Sequence, residues 1–307
     1  MGNWFRTTLL LGAMTALMVF IGGLLGGQQG MILAFILAVG MNFFSYWYSD
    51  KMVLKMYKAR EVGPEDFPGL YTAVQELAHK AELPMPRVYI IPESSPNAFA
   101  TGRNPEHAVI AVTEGLLSTM DDDEATGVLA HEMSHIKDRD ILIGSIAATM
   151  AGAVMILSTM ARWSAFFGGG SDDDEGGLGG IGLIVMSIVA PLAAMLIQMA
   201  ISRSREYLAD ATGARLTGNP EWLARALEKL GAAAKKHPMH ANPSTAHMFI
   251  VNPLSGGGLM HLFSTHPPLQ ERIARLRGTG PDQTPQAPVE EDRGKAEAAA
   301  LWEHLSK

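Results

Sequence analysis

The chain has 307 residues and a formal net charge of −7, and it contains no cysteine. This charge excludes the strongly basic surface that nucleic-acid-binding proteins use, so we expect no nucleic-acid partner. Hydrophobic residues make up 48% of the chain and charged residues only 18%. Because this balance is unusual for a soluble enzyme, it points to membrane-spanning segments.

Four uncharged segments are long enough to cross a bilayer. Residues 7–49 contain no charged side chain, and a Gly-rich turn at residues 26–30 divides them into two apolar runs of about 19 residues. Residues 141–161 and 176–202 form two further runs, which Gly, Ser and Ala dilute. Since about 20 apolar residues cross the hydrocarbon core, the pattern predicts four transmembrane helices. For the second pair, packing as buried core helices is the alternative.

The basic residues that flank these runs predict the orientation. An excess of Lys and Arg lies on one side of the predicted spans, at Arg6, Lys51, Lys55, Lys58, Arg60, Lys137, Arg139, Arg203 and Arg205. The loop between the third and fourth runs has an acidic tip at residues 171–175. Because positively charged loops stay in the cytoplasm, we expect both termini and residues 50–140 and 203–307 there. The lack of cysteine agrees with a reducing compartment.

Between the second and third runs, the pattern predicts a small α+β unit. Residues 65–82 carry apolar side chains at helical spacing, so they are expected to form a helix. Three short strands are predicted over residues 87–91, 97–101 and 107–113. A small β-sheet is therefore expected to precede the next helix.

After the fourth run, the sequence predicts further helices and a tail. The predicted helices cover residues 204–216, a segment from a cap at Asn219 to Gly231, and Thr265 to Arg277. Residues 232–263 are predicted to form a long irregular loop. Residues 278–292 are rich in Pro, Gly and acidic residues, which is typical of a flexible segment.

The segment His-Glu-Met-Ser-His at residues 131–135 carries the clearest chemical signal. Asp121 and Glu124 have the spacing of a helix-capping box, so the segment is expected to be helical. Histidines four residues apart lie on one helical face and can bind one Zn²⁺. Glu132 lies beside them and can take a proton from a metal-activated water. His131 and His135 are therefore candidate metal ligands.

Two histidines leave a catalytic zinc site one protein ligand short. The candidates are a carboxylate on a later helix, with Glu206 and Asp210 four residues apart, or one of His237, His240, His247, His261 and His266. Of the two carboxylates, one could bind the metal while the other accepts a hydrogen bond from a ligating histidine. From composition alone, a solvated charged turn after a membrane span is the favoured interpretation, since charges that flank a span are routine.

Four motifs stand out along the chain: PNAFATG at residues 96–102, HEMSHIKDRD at 131–140, SRSREYLAD at 202–210 and STHPPLQERI at 264–273. Together they resemble the HtpX family of membrane zinc metalloproteases, which are bacterial relatives of the CAAX-processing membrane proteases. The resemblance runs from the first apolar run to about Arg277, and the combination of motifs is highly specific.

The resemblance implies a role for each matching residue. It makes His131, His135 and Glu206 the ligands of one Zn²⁺ per chain, Glu132 the catalytic base and Asp210 the partner of a ligating histidine. His266 and Arg272 match a family position near the reacting carbonyl. The family's substrate-binding edge strand corresponds to Asn97, Ala98, Phe99 and Ala100. The remaining histidines match no family ligand.

We therefore expect an α+β fold, predominantly helical, with four transmembrane helices and a cytoplasmic zincin-like (gluzincin) catalytic domain that contains a small β-sheet. The expected organisation is a membrane hairpin over 1–49, catalytic parts over 50–140 and 203–277, a second hairpin over 141–202 and a flexible tail over 278–307.

The implied function is a zinc endopeptidase of the bacterial inner membrane that degrades misfolded or damaged membrane proteins under stress. Its partners would be unfolded or membrane protein substrates and the lipid bilayer. The alternatives are a CAAX-type processing protease and, from other classes, a zinc transporter or sensor and a non-catalytic membrane scaffold. The uncharged spans offer almost none of the ionisable residues that a transporter needs.

Overall fold

The computed structural model describes residues 3–150, 203–236, 245–251 and 267–279. In these residues the protein is mostly helical with one small mixed sheet, as predicted. The helices are α1 (Asn3–Met56), α2 (Pro68–Ala81), α3 (Glu114–Thr119), α4 (Asp122–Lys137), α5 (Ile141–Met150), α6 (Arg203–Thr217), α7 (Pro220–Lys236) and α8 (Leu269–Leu276). The strands are β1 (Arg60–Val62), β2 (Arg87–Ile91), β3 (Ala98–Thr101) and β4 (Val109–Thr113).

The sheet has the order β1-β2-β4-β3. Its central strands β2 and β4 are parallel, while β1 and β3 are antiparallel to their neighbours. The prediction of three strands was incomplete, because β1 has three residues and no alternating apolar pattern. Strand β3 lies at one edge of the sheet, next to α4, and this edge forms one side of the candidate site.

The main core lies between one face of the sheet and the helices α2, α4 and α7. The close packing of α4 on α7 depends on Gly127, since a Cβ there would be 2.7 Å from the backbone nitrogen of Leu223. Helix α4 is well defined at its start, because Asp121 and Glu124 form the predicted capping box. The capping box fixes the start of α4 and the contact with α7 fixes its middle, so the two histidines near its end lie on a well-held helix.

The opposite face of the sheet packs against the end of α1. Val53 and Leu54 of α1 join Phe99 of β3 in a second apolar cluster, together with Phe249. Tyr57 packs near Phe99 and edge-on to Phe249, at ring-centroid distances of 6.1 and 5.2 Å. The edge strand is thus connected directly to the helix that leads out of the apolar hairpin.

Helix α1 is an apolar hairpin, with a break in helical geometry at Gly26 and Gly27. Two segments are long and apolar enough to cross a membrane, Thr7–Leu24 and Gly26–Met56. Among the described residues, sixteen of the seventeen exposed large apolar side chains lie in α1. Because a soluble protein rarely exposes so large an apolar surface, this surface agrees with lipid contact.

The structure corrects several predicted boundaries. Helix α7 does not end at Gly231 but continues to Lys236, so the first part of the predicted irregular loop is helical. Gly231 has no side chain, and this leaves room for the Leu269 side chain against the helix. Helix α8 begins at Leu269, after two prolines, and not at Thr265. The third predicted run is described only as α5, and the fourth lies outside the described residues, as does the tail after residue 279.

Candidate metal centre

Helix α4 carries both histidines of the HEMSH segment on a buried face. His131 and His135 lie one turn apart, and their Nε2 atoms are 3.2 Å from each other. The two rings are nearly perpendicular, with an interplanar angle of 89°. His131 is 1% exposed, while His135 is half-buried beside the open cavity. Both Nε2 atoms therefore point at the same small volume.

Glu206 of α6 completes a group of three possible metal donors. Oε2 of Glu206 is 3.9 Å from His131 Nε2, and Oε1 is 3.6 Å from His135 Nε2. The three ligand atoms all lie within 4.8 Å of one another. One ion about 2 Å from each donor can bridge this spacing, and two imidazoles with one carboxylate are a known catalytic donor set. The residues therefore fit a bound metal ion.

Gly213 brings α6 close enough to α4 for this arrangement. A Cβ at Gly213 would be 3.0 Å from the backbone nitrogen of His131 and 3.1 Å from the carbonyl carbon of Ala130. Both neighbours are backbone atoms of a buried helix, which gives little room for adjustment. A larger residue would push the two helices apart, and Glu206 would move with α6.

Each histidine is held on its other ring nitrogen by a buried carboxylate. His131 Nδ1 is 2.9 Å from Asp210, and His135 Nδ1 is 3.3 Å from Asp140. Such contacts fix the orientation of the imidazole and leave Nε2 free to bind a metal. Asp210 was singled out in the sequence, but Asp140 was not, although it lies in the quoted HEMSHIKDRD motif.

An arginine is paired with each of these carboxylates. Arg272 of α8 donates from Nε and Nη2 to Asp210 at 2.8 and 2.7 Å, and Arg205 forms an ion pair with Asp140. Arg272 is completely buried and also donates to the carbonyl oxygen of Ile250 at 2.9 Å. Burial alone would raise the pKa of Asp210, but the charge of Arg272 lowers it to about 2. Asp210 is therefore ionised.

Glu132, the candidate general base, lies beside the two histidines. Glu132 is 2% exposed, and the backbone N–H of Ala100 acts to lower the pKa of its carboxyl group. Burial raises the pKa of Glu132 to about 7, against the opposing charge of His135. A carboxylate with a pKa near neutrality can both take and return a proton, which suits a general base.

The pKa values of the two histidines are shifted in opposite directions. Burial lowers the pKa of His131 to about 4. Burial would also lower the pKa of His135, but its hydrogen bond to Asp140 and the charge of Glu206 raise it to about 9. Because these carboxylates stabilise a positive charge next to His135, they would also stabilise a bound cation.

A cavity opens over these residues and reaches the edge strand. Of the four predicted substrate-binding residues, Ala100 lines the cavity, whereas Asn97, Ala98 and Phe99 are buried. The outward carbonyl of Ala98 accepts a hydrogen bond from Ile250, and Asn97 Nδ2 donates to the carbonyl of Val251. The segment 245–251 therefore lies along part of the edge that the sequence assigned to substrate.

His247, which local spacing left open as a third ligand and which matched no family position, is a cavity residue. It lines the cavity with the candidate ligands, and its Nε2 is 3.1 Å from the carbonyl oxygen of Gly144 in α5. The sequence offered His247 only as one histidine among several, because its neighbours form no motif and its position depends on segment 245–251. His107 is exposed and does not line this cavity. His237, His240, His261 and the predicted catalytic His266 lie outside the described residues.

Comparisons with known proteins identify the family of the chain. Residues 64–280 match the model of peptidase family M48. A protein named protease HtpX homolog from Desulforapulum autotrophicum is 65% identical over 99% of this chain and 100% of its own length. A protein of the same name from Pyrococcus furiosus is 57% identical over 90% of this chain and 96% of its own length.

A solved structure shares the fold. The crystal structure of S. mikatae Ste24p aligns with a TM-score of 0.50 and 20% identity. The alignment covers 88% of this chain but only 62% of the solved chain. At this identity, the similarity concerns the arrangement of the elements alone.

Proposed function

Because the chain belongs to peptidase family M48 and to its HtpX proteases, it is a membrane metalloprotease that hydrolyses peptide bonds, and we propose that its substrates are unfolded or damaged membrane proteins. Cleavage would take place at the cytoplasmic face of the bacterial inner membrane. The observation that carries the proposal is the convergence of His131, His135 and Glu206 beside Glu132, close to the end of an apolar hairpin.

We assign zinc as the metal, held by His131, His135 and Glu206, because two imidazoles and one carboxylate are characteristic zinc donors. When bound, zinc supplies Lewis acidity and lowers the pKa of water toward neutrality. Asp210 and Asp140 keep the two imidazoles oriented with Nε2 toward the ion. Arg272 is best assigned a positioning role through Asp210, since it is completely buried behind that carboxylate.

Glu132 is the proton carrier in this proposal. Its carboxylate takes a proton from the attacking water and delivers it to the nitrogen of the leaving amine. The substrate backbone lies against Ala100, the cavity-lining end of the predicted Asn97–Ala100 binding strand. Binding through backbone hydrogen bonds tolerates many sequences, which suits the removal of damaged proteins. His266 remains a predicted stabiliser of the carbonyl oxygen.

The proposed architecture retains four transmembrane helices, with residues 1–49 and 141–202 as two hairpins and both termini in the cytoplasm. The zincin-like catalytic domain then combines residues 50–140 and 203–277. Support comes from the two apolar segments of α1 and from the apolar start of α5 directly after the site. Since the metal ligands flank residues 141–202, the active site would be held at the membrane surface.

The test is the Glu132→Gln variant of the full-length protein in detergent. We expect it to retain one zinc per chain and to lose nearly all cleavage of casein, because the amide cannot accept the proton. Glu114→Gln, an exposed change at the start of α3, should keep both properties. Full proteolysis by the Glu132→Gln variant would exclude this mechanism, and wild type that binds zinc without cleaving casein would favour a scaffold or sensor.

A further inference from the structure

A second cavity lies away from the metal centre, where three parts of the chain meet. It is lined by the two arms of the α1 hairpin, by the loop between β3 and β4, and by the chain from Arg139 into α5. Its lining includes Thr7, Tyr46, Arg103, Glu106, Arg139 and Leu142. Its volume is about 140 Å³. By the same measure one water needs about 10–15 Å³, so a hydrated phosphate group fits.

The cavity lies at the depth of lipid headgroups. Thr7 and Tyr46 are each 19 residues from the hairpin turn at Gly26 and Gly27, which corresponds to about 28 Å of helix. Gly22 and Gly30 are in close contact, so the two halves of the hairpin run side by side. Because the hydrocarbon core is about 30 Å thick, a turn at one interface places the cavity at the other.

Aromatic residues mark the same interface. Tyr46 lines the cavity, and Trp47 and Tyr48 follow it, each with 42% of its surface exposed. Tyr and Trp side chains are enriched at the headgroup level of membranes. On the neighbouring wall, Leu142 of α5 packs with the first half of α1. The cavity therefore lies beside interfacial aromatic residues and next to an apolar contact between α1 and α5.

The charge of the lining favours an anion. Arg103 and Arg139 face a single acidic residue, Glu106, so the lining carries one net positive charge. Cζ of Arg103 is 4.7 Å from the ring centroid of Trp47, and its Nη2 is within hydrogen-bond distance of the ring of His107. In the described part of the chain, no carboxylate lies within ion-pair distance of Arg103 or Arg139. Both guanidinium groups can therefore bind a phosphate.

We propose that this cavity binds the phosphate group of an anionic phospholipid from the leaflet on the side of the catalytic domain. Basic pockets between membrane helices are suited to such headgroups, and a lipid chain attached to the phosphate would lie along the apolar surface of α1. The ligand would join the hairpin to the turn at Arg139, which links α4 to α5. The proposal rests on the insertion of α1 in the bilayer and is independent of proteolysis.

The experiment measures lipid affinity by thermal shift of the full-length protein in neutral detergent. Short-chain phosphatidylglycerol should bind saturably and more tightly than phosphatidylcholine. Arg103→Gln and Arg139→Asn should each weaken this binding about fivefold, the effect of one basic residue at a membrane surface. Asparagine is chosen at 139 because the backbone there has a φ of 57°, which asparagine tolerates.

Two further variants separate binding from folding. Glu106→Gln should strengthen phosphatidylglycerol binding by a similar factor, a gain that a folding defect cannot produce. Arg225→Gln, in α7 beside the start of α4, removes a positive charge about 24 Å from the membrane end of that helix and should have no effect. Equal binding of phosphatidylcholine, unchanged binding in both arginine variants, or competition by equimolar inorganic phosphate would overturn the proposal.

Discussion

At the scale of single residues, the two histidines of α4 are held in the same way from opposite sides. Asp210 contacts one imidazole and Asp140 the other, and each carboxylate has its own arginine, Arg272 or Arg205. A buried carboxylate needs such a partner, because an unpaired charge in the interior is strongly destabilising. Each arginine therefore places a compensating charge beside the carboxylate that orients a histidine.

This arrangement predicts two grades of zinc loss. Glu206→Ala should reduce zinc affinity most, because it removes an anionic ligand from a three-residue set. Asp210→Asn and Asp140→Asn should each reduce it about 10–100-fold, as expected when an outer partner of a ligating histidine is changed. Competition with a chelator measures all three affinities. Full zinc affinity in Glu206→Ala would show that another residue is the third ligand.

At the scale of elements, the site depends on how closely α6 and α7 approach α4. Gly213 and Gly127 lie at these two contacts, and in both cases the neighbouring atoms belong to backbone. The segment 245–251 adds a third constraint, since it contacts β3 through Ile250 and α5 through His247. The cavity is thus lined by residues of β3, α4, α5, α6 and segment 245–251.

The contact at Gly127 can be tested by adding one methyl group. Gly127→Ala should destabilise the protein by about 1–3 kcal/mol, the range for overpacking a core, because its Cβ would be 2.7 Å from a backbone atom of Leu223. Thermal unfolding in detergent measures the loss. Gly69→Ala in α2 is the matched control, since no atom lies within 4 Å of its Cβ position. Equal stability of both variants would contradict the packing argument.

At the scale of the whole molecule, the elements that carry the site are joined to two apolar helices, α1 and α5. The end of α1 packs under the sheet through Val53 and Leu54, and α5 begins four residues after α4 ends. A substrate segment that leaves the bilayer would therefore meet the cavity without travelling far. This geometry agrees with a protease whose substrates are membrane proteins.

The orientation of the second predicted hairpin is testable because the chain contains no cysteine. Ser171→Cys lies beside the acidic tip between the third and fourth runs, and Ser202→Cys lies at the end of the fourth. An impermeant thiol reagent added to intact spheroplasts should label the first variant and leave the second unlabelled. If Ser171→Cys is labelled only after lysis, residues 141–202 do not cross the membrane.

The sequence by itself determined the features that depend on neighbours along the chain. The capping box at Asp121, the shared face of His131 and His135, and the apolar length of α1 follow from local spacing, and the structure contains all three. The motif resemblance also identified the family, which the comparisons confirm. Helix ends were less predictable: α7 continues past Gly231, and the missing side chain there leaves room for Leu269 of α8.

Only the tertiary structure decided which distant residues meet. Local spacing left Glu206 among several candidates, and packing of α6 on α4 brought its carboxylate to the histidines. The pairing of Arg205 with Asp140, the position of segment 245–251 on the edge strand, and the cavity around Arg103 and Arg139 had no local signal. The physical reason is that these contacts join residues separated by tens of positions, so their distances depend on how whole elements pack.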